Sequence, residues 1–127
     1  MAVYYAQDLC CKCSRCDRYV PGTPEHLKET ARWLLEVEIA LGGYPLLILS
    51  ACRCPLCDAE VDEEIPGGNF HQDGLAVDFV CRELSPSQIQ RHLVPRQGEG
   101  KLIAGLASFR GYSHIQRAPA TVMRWRP

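Results

Sequence analysis

"HQDGLAVDFV", residues 71–80, decides how this chain is read. It starts polar, passes through Asp73-Gly74, and ends in an apolar run that continues to Cys81. A short run of apolar, β-branched and aromatic residues behind a turn predicts a strand over 75–81. The polar half presents His71 seven residues before Asp78, one imidazole and one carboxylate in reach of a common point. Such a pair fits either a metal site or a plain turn leading into a buried strand, and spacing alone does not choose.

Upstream of this stretch lies "CRCPLCDAEVDEEIPGGN" (52–69), a long polar loop of the kind that often carries function. Before that, "YPLLILS" (44–50) is short and continuously apolar, which predicts a buried strand. "TPEHLKETARWLLEVEIALGG" (23–43) predicts a helix. Thr23 suits its cap, Pro24 its first turn and Glu25 the positive end of its dipole. Leu27, Ala31, Leu34, Val37 and Leu41 recur on one face, and Gly42-Gly43 ends the helix. Downstream, "SPSQIQRHLV" (85–94) predicts a short helix capped by Ser85. "KLIAGLASF", "GYSHIQ" and "TVMRW" predict further strands. Strands that arrive late and close together point to an α+β domain with a small antiparallel or mixed sheet against helices.

With 127 residues the chain makes one domain, residues 1–127, with the cysteine-rich residues 1–22 packed on it. A net charge of −1, with basic residues scattered, argues against nucleic acid and anionic membranes as partners. No apolar run is long enough to span a bilayer. "MAVYYAQDLCCKC" shows no secretory signal, so a cytoplasmic, reducing location is expected. That location bears on the eight cysteines, which are then likelier metal ligands than disulfides. "CCKCSRC" and "CRCPLC" each contain Cys-x2-Cys, with Cys13/Cys16 and Cys54/Cys57 as the leading pairs and Cys10/Cys13 another. Two such pairs are the usual parts of a closed, four-thiolate structural zinc site, with disulfides, free thiols or an iron–sulfur cluster as the alternatives. Cys10, Cys11 and Cys52 remain alternatives, and Cys81 reads as a core residue.

His114, on the predicted strand "GYSHIQ", supplies a third donor to His71 and Asp78. Two imidazole nitrogens and one carboxylate oxygen suit a catalytic zinc with one position left for water. His26 and His92 lie on predicted helices and read as surface residues.

Taken together, "SACRCPLCDAEV" (50–61), "GGNFHQDGLAVDF" (67–79) and "YSHIQ" (112–116) resemble the zinc D-alanyl-D-alanine carboxypeptidases and dipeptidases, which share a fold with the hedgehog signalling domain. Ser50 and Arg53 match that family's Ser-Gly-Tyr-Arg segment. Asn69 to Asp78 match its Ser-x-His-x-x-Gly-x-Ala-x-Asp, with Asn for Ser, and Ser113-His114 match its late histidine. The resemblance covers roughly residues 24–116. It implies zinc on His71, Asp78 and His114, Arg53 as the donor that stabilises charge on the substrate carbonyl, and a peptidoglycan stem or cross-bridge peptide as substrate. It further implies a monomeric phage or prophage product released at lysis.

The family's acidic residue three places before the last histidine is replaced here by Gly111, and its aspartate two places after it by Gln116. A general base would have to come from Asp73, Glu63 or Glu64, with Asp73 nearest the motif. The competing reading is a zinc-binding module without catalysis that binds a peptide or cell wall. A redox role for Cys-x2-Cys would leave the His/Asp/His set without a use.

Overall fold

The computed structural model describes residues 4–11, 13, 16, 25–54, 73–98, 105–117 and 123–125. After a 3-10 turn at Ala6–Asp8 come helix α1 (Glu25–Ala40), strands β1 (Leu47–Ser50) and β2 (Ala76–Val80), and helix α2 (Pro86–Gly98). Strands β3 (Gly105–Phe109), β4 (Tyr112–Gln116) and β5 (Met123–Trp125) complete the sheet, in the order β1-β2-β4-β3-β5. The first four of these pair antiparallel, and β5 lies parallel to β3. The expected α+β class and its elements therefore form, but β1, expected as a buried strand, lies at the sheet edge with Leu47 45 % and Leu49 58 % exposed, because among the described residues it pairs on one side only, with β2.

α1 buries Leu27, Ala31, Leu34 and Val37, with Leu41 just beyond its end, as its periodicity predicts. It closes on two interlocked bonds: Gly43 N–H to the Glu38 carbonyl at 2.9 Å and Gly42 N–H to the Ile39 carbonyl at 3.0 Å. That closure needs φ near +92° at Gly42, which only glycine adopts without strain. Thr23 and Pro24, the expected start, lie outside the described residues.

α2 opens on a capping box. The Gln88 N–H donates to Ser85 Oγ, and the Ser85 N–H donates to Gln88 Oε1 at 2.8 Å. It continues through Pro95, four residues past the predicted end at Val94. Proline removes one N–H donor, and near a helix end the loss of a single bond is tolerated.

One core joins α1 and α2 to one face of the sheet, with Val77, Phe79, Leu106 and Ile115 pointing toward the helices. Alternation along β2 and β4 sends Asp78, His114 and Gln116 to the opposite face. These polar side chains are only 4, 2 and 1 % exposed. β2 and β4 are thus buried on both faces, which is why their sequences lack clean polar alternation.

The N-terminal segment is tied to this body at several points. Leu9 is in the core, and its carbonyl accepts the Cys52 N–H at 2.8 Å. The Tyr4 hydroxyl donates to Glu38 Oε1 at 2.7 Å and accepts the Leu46 N–H at 2.9 Å. Burial, then the bond to Glu38, pushes the Tyr4 phenol well above its ordinary range.

Candidate metal centre

Four thiols converge where the N-terminal segment meets the chain leaving β1. The sulfurs of Cys11, Cys13, Cys16 and Cys54 all lie within 4.8 Å of one another and could hold a metal ion. Cys13 and Cys16 Sγ are 3.3 Å apart, and Cys13 and Cys54 Sγ are 3.7 Å apart. Tetrahedral zinc with Zn–S near 2.3 Å sets its sulfurs about 3.8 Å apart, so this group needs only small adjustments to close on one ion. Its donor set and spacing fit a closed, structural thiolate site.

Three of these ligands are supplied within residues 11–16 and the fourth by Cys54. Burial disfavours a charge on Cys11. The backbone N–H groups of Cys54 and Cys13 and the Cys16 thiol more than offset this, holding the Cys11 pKa below its ordinary value. Amides directed at a thiolate are the usual outer support of a metal–sulfur site.

Cys13, Cys16 and Cys54 were expected as ligands, whereas Cys57 lies outside the described residues. Cys11 was one alternative among several. Residues i and i+2 of an extended stretch face the same way, so the Cys11-x-Cys13 spacing was the available signal. Cys10 turns its thiol to the Gln7 carbonyl at 3.0 Å. Cys52 and Cys81 belong to the core. Burial, then the nearby cysteines, pushes the Cys52 thiol up to about 12, and burial, then Glu83 and Glu38, takes Cys81 to about 11.

A second polar group occupies the sheet face away from the helices. Asp78 and His114 are directly opposite each other in the β2–β4 register, and Ser50 is opposite Asp78 on the other side. Asp78 Oδ1 accepts from His114 Nδ1 at 2.7 Å, while Asp78 Oδ2 accepts from Arg53 Nη2 at 2.6 Å. Arg53 Nε donates to Ser50 Oγ at 3.0 Å, and His114 Nε2 contacts Gln116 Oε1 at 2.9 Å. The Phe109 ring stands edge-on to His114 at 6.5 Å between centroids and stacks on Tyr112. The Gln116 amide nitrogen, fully buried, has no hydrogen-bond partner among the described residues.

The fold thus brings Arg53, Asp78 and His114 together from three separate segments. His71, Glu63 and Glu64 lie outside the described residues. Asp73 sits exposed in the turn before β2, and its contact to α1 is through its backbone carbonyl, which accepts from His26 Nδ1 at 2.8 Å. Thr30 Oγ1 donates to the next carbonyl, Gly74, at 2.6 Å. His26, expected on the surface, is half-buried and fastens the loop that enters β2.

Two donors bound to one tetrahedral zinc at 2.0–2.1 Å stand about 3.4 Å apart. The Asp78 and His114 atoms are closer than that, at hydrogen-bonding distance, so metal entry would require them to part. Both Asp78 oxygens and both His114 nitrogens are engaged in hydrogen bonds. Among the described residues the cysteines are the group of three or more donors that converge. No described helix is long and apolar enough to cross a membrane. The chain matches no known protein family, no curated protein and no solved structure.

Proposed function

We propose that this chain is a zinc-dependent, peptidase-like protein of the D-Ala-D-Ala carboxypeptidase type, acting on peptidoglycan peptides. The observation that supports it is the meeting of Asp78 and His114 across the β2–β4 register, with Arg53 on the remaining carboxylate oxygen. In this reading His71, Asp78 and His114 hold a zinc ion, and the thiols of Cys11, Cys13, Cys16 and Cys54 hold a second, structural one. Bound zinc would acidify a water and polarise the scissile carbonyl. Asp78 would help to hold the ion, and Arg53, bonded to Asp78 Oδ2, would orient the carboxylate. The Arg53 guanidinium, always charged, also offers donors for the oxyanion that forms on the substrate carbonyl.

The expected base position is Gly111, in the β3–β4 turn with φ +92°. That turn is built for glycine and carries no carboxylate, which favours a second reading: a zinc module that binds peptide without cleaving it. Mass spectrometry of D-Ala-D-Ala-terminated peptides incubated with zinc-loaded protein separates the two. Hydrolysis that falls about 10²–10³-fold in Arg53→Ala with zinc retained supports the enzyme. Zinc-loaded protein that binds such peptides and leaves them intact supports the module.

A further inference from the structure

Cys52, Arg53 and Cys54 send three successive side chains to three destinations. Cys52 enters the core, Arg53 reaches Asp78, and Cys54 joins the thiol group. All are buried, and the Cys52 N–H is fastened to the Leu9 carbonyl of the N-terminal segment. Cys54 is the ligand that links the sulfurs of residues 11–16 to the chain beyond β1. Arg53 and Cys54 share a peptide unit, and planarity keeps their Cα atoms a fixed distance apart. Movement of the Cys54 backbone toward or away from the other three ligands therefore moves the root of the Arg53 side chain.

Sulfurs now 3.3 and 3.7 Å apart must come to the spacing of about 3.8 Å that one tetrahedral ion sets. Metal binding thus selects one position for Cys54, and metal loss removes what enforces it. Arg53 is sensitive to such a shift because it meets Asp78 and Ser50 with two separate nitrogens of a rigid planar fork.

We infer that metal in the thiolate centre helps to hold Arg53 in place against Asp78, so that filling the thiolate centre favours the assembled polar site on the sheet. The inference rests on the reading that the four cysteines bind metal. Arg53 is then the positioning link between two otherwise separate groups. Coupling of this kind is reciprocal: whatever factor metal adds to the Arg53–Asp78 pairing, loss of that pairing subtracts from metal affinity.

The test uses the full chain and cobalt(II), whose thiolate-to-metal charge-transfer absorption reports the sulfur centre alone. Affinity is measured by chelator competition for wild type and Asp78→Asn. The double variant Arg53→Met/Asp78→Asn removes both charges, so it stays informative if Asp78→Asn alone fails to fold. Gly42→Ala, which strains the end of α1 at φ +92° and adds a Cβ with nothing nearer than Tyr44 Cε2 at 4.0 Å, measures the effect of general destabilisation. Cobalt binding is expected to weaken about tenfold, within the 5–150-fold range of typical site coupling, in whichever Asp78 variants fold. Gly42→Ala should stay within about twofold of wild type, since it leaves the linking segment untouched. Wild-type affinity in the folded Asp78 variants, or equal weakening in Gly42→Ala, overturns the coupling while leaving the thiolate centre intact. Absence of a charge-transfer band in the wild type overturns the thiolate centre itself, and the coupling with it.

Discussion

Cys54→Ser tests the thiolate centre most directly, because Cys54 is the ligand that turns a local cluster into a long-range cross-link. A metal joining Cys16 to Cys54 closes a loop of roughly 40 residues. Treated as a chain cross-link, that closure is worth about 4 kcal/mol at 25 °C. A domain of ordinary stability has about 5–15 kcal/mol in total, so the effect is a large fraction of the whole. Guanidinium unfolding followed by circular dichroism, with zinc in excess and with EDTA, should resolve it. The wild type should gain about 4 kcal/mol from zinc, a midpoint shift on the order of 1 M. Cys54→Ser should gain little, and in EDTA the two proteins should differ by about 1 kcal/mol or less. Cys10→Ser should behave as wild type, since its thiol points to the Gln7 carbonyl. An equal zinc response in Cys54→Ser and wild type would refute the cross-link.

Asp78→Asn leaves the Arg53 guanidinium buried without its counter-charge and should cost about 3–5 kcal/mol in denaturation, much of it regained by adding Arg53→Met. In metal-free native protein at pH 8, Cys52 and Cys81 should resist alkylation: thiol pKa values of about 12 and about 11 leave thiolate fractions on the order of 10⁻⁴ and 10⁻³. Mass mapping that finds either labelled as fast as Cys10 contradicts their placement in the core. Because both pKa values are raised, the folded chain keeps protons that the unfolded chain releases, so stability falls as pH rises above the ordinary thiol value of 9.0 toward 11–12. A melting temperature that holds steady or climbs across that window runs against this assignment. Gly42→Ala should lose about 1 kcal/mol from backbone strain at φ +92°, since an added Cβ would meet nothing closer than Tyr44 Cε2 at 4.0 Å. An unchanged melting temperature in that variant would mean the helix ends in another way.

The sequence by itself determined the elements. The apolar spacing from Leu27 to Leu41, the Gly42-Gly43 stop, the Ser85 cap and the short apolar runs at 44–50 and 75–81 carry local rules that act within one or two turns of chain. It also pointed to the chemistry, because Asp78, His114 and the clustered cysteines are residue types that metal sites need. What it could not decide is which of them meet. Asp78 and His114 share a face because β4, far along the chain, pairs beside β2 in one particular register, and a one-residue slip would have put them on opposite faces. Cys11 rather than Cys10 joins Cys13, Cys16 and Cys54 because backbone bonds such as Cys52 N–H to the Leu9 carbonyl set how the N-terminal segment lies. His26 fastens the turn before β2 only because α1 packs alongside it. Local propensity acts along the chain, whereas these contacts depend on strand register and packing between distant segments, and that is where the tertiary structure made the choice.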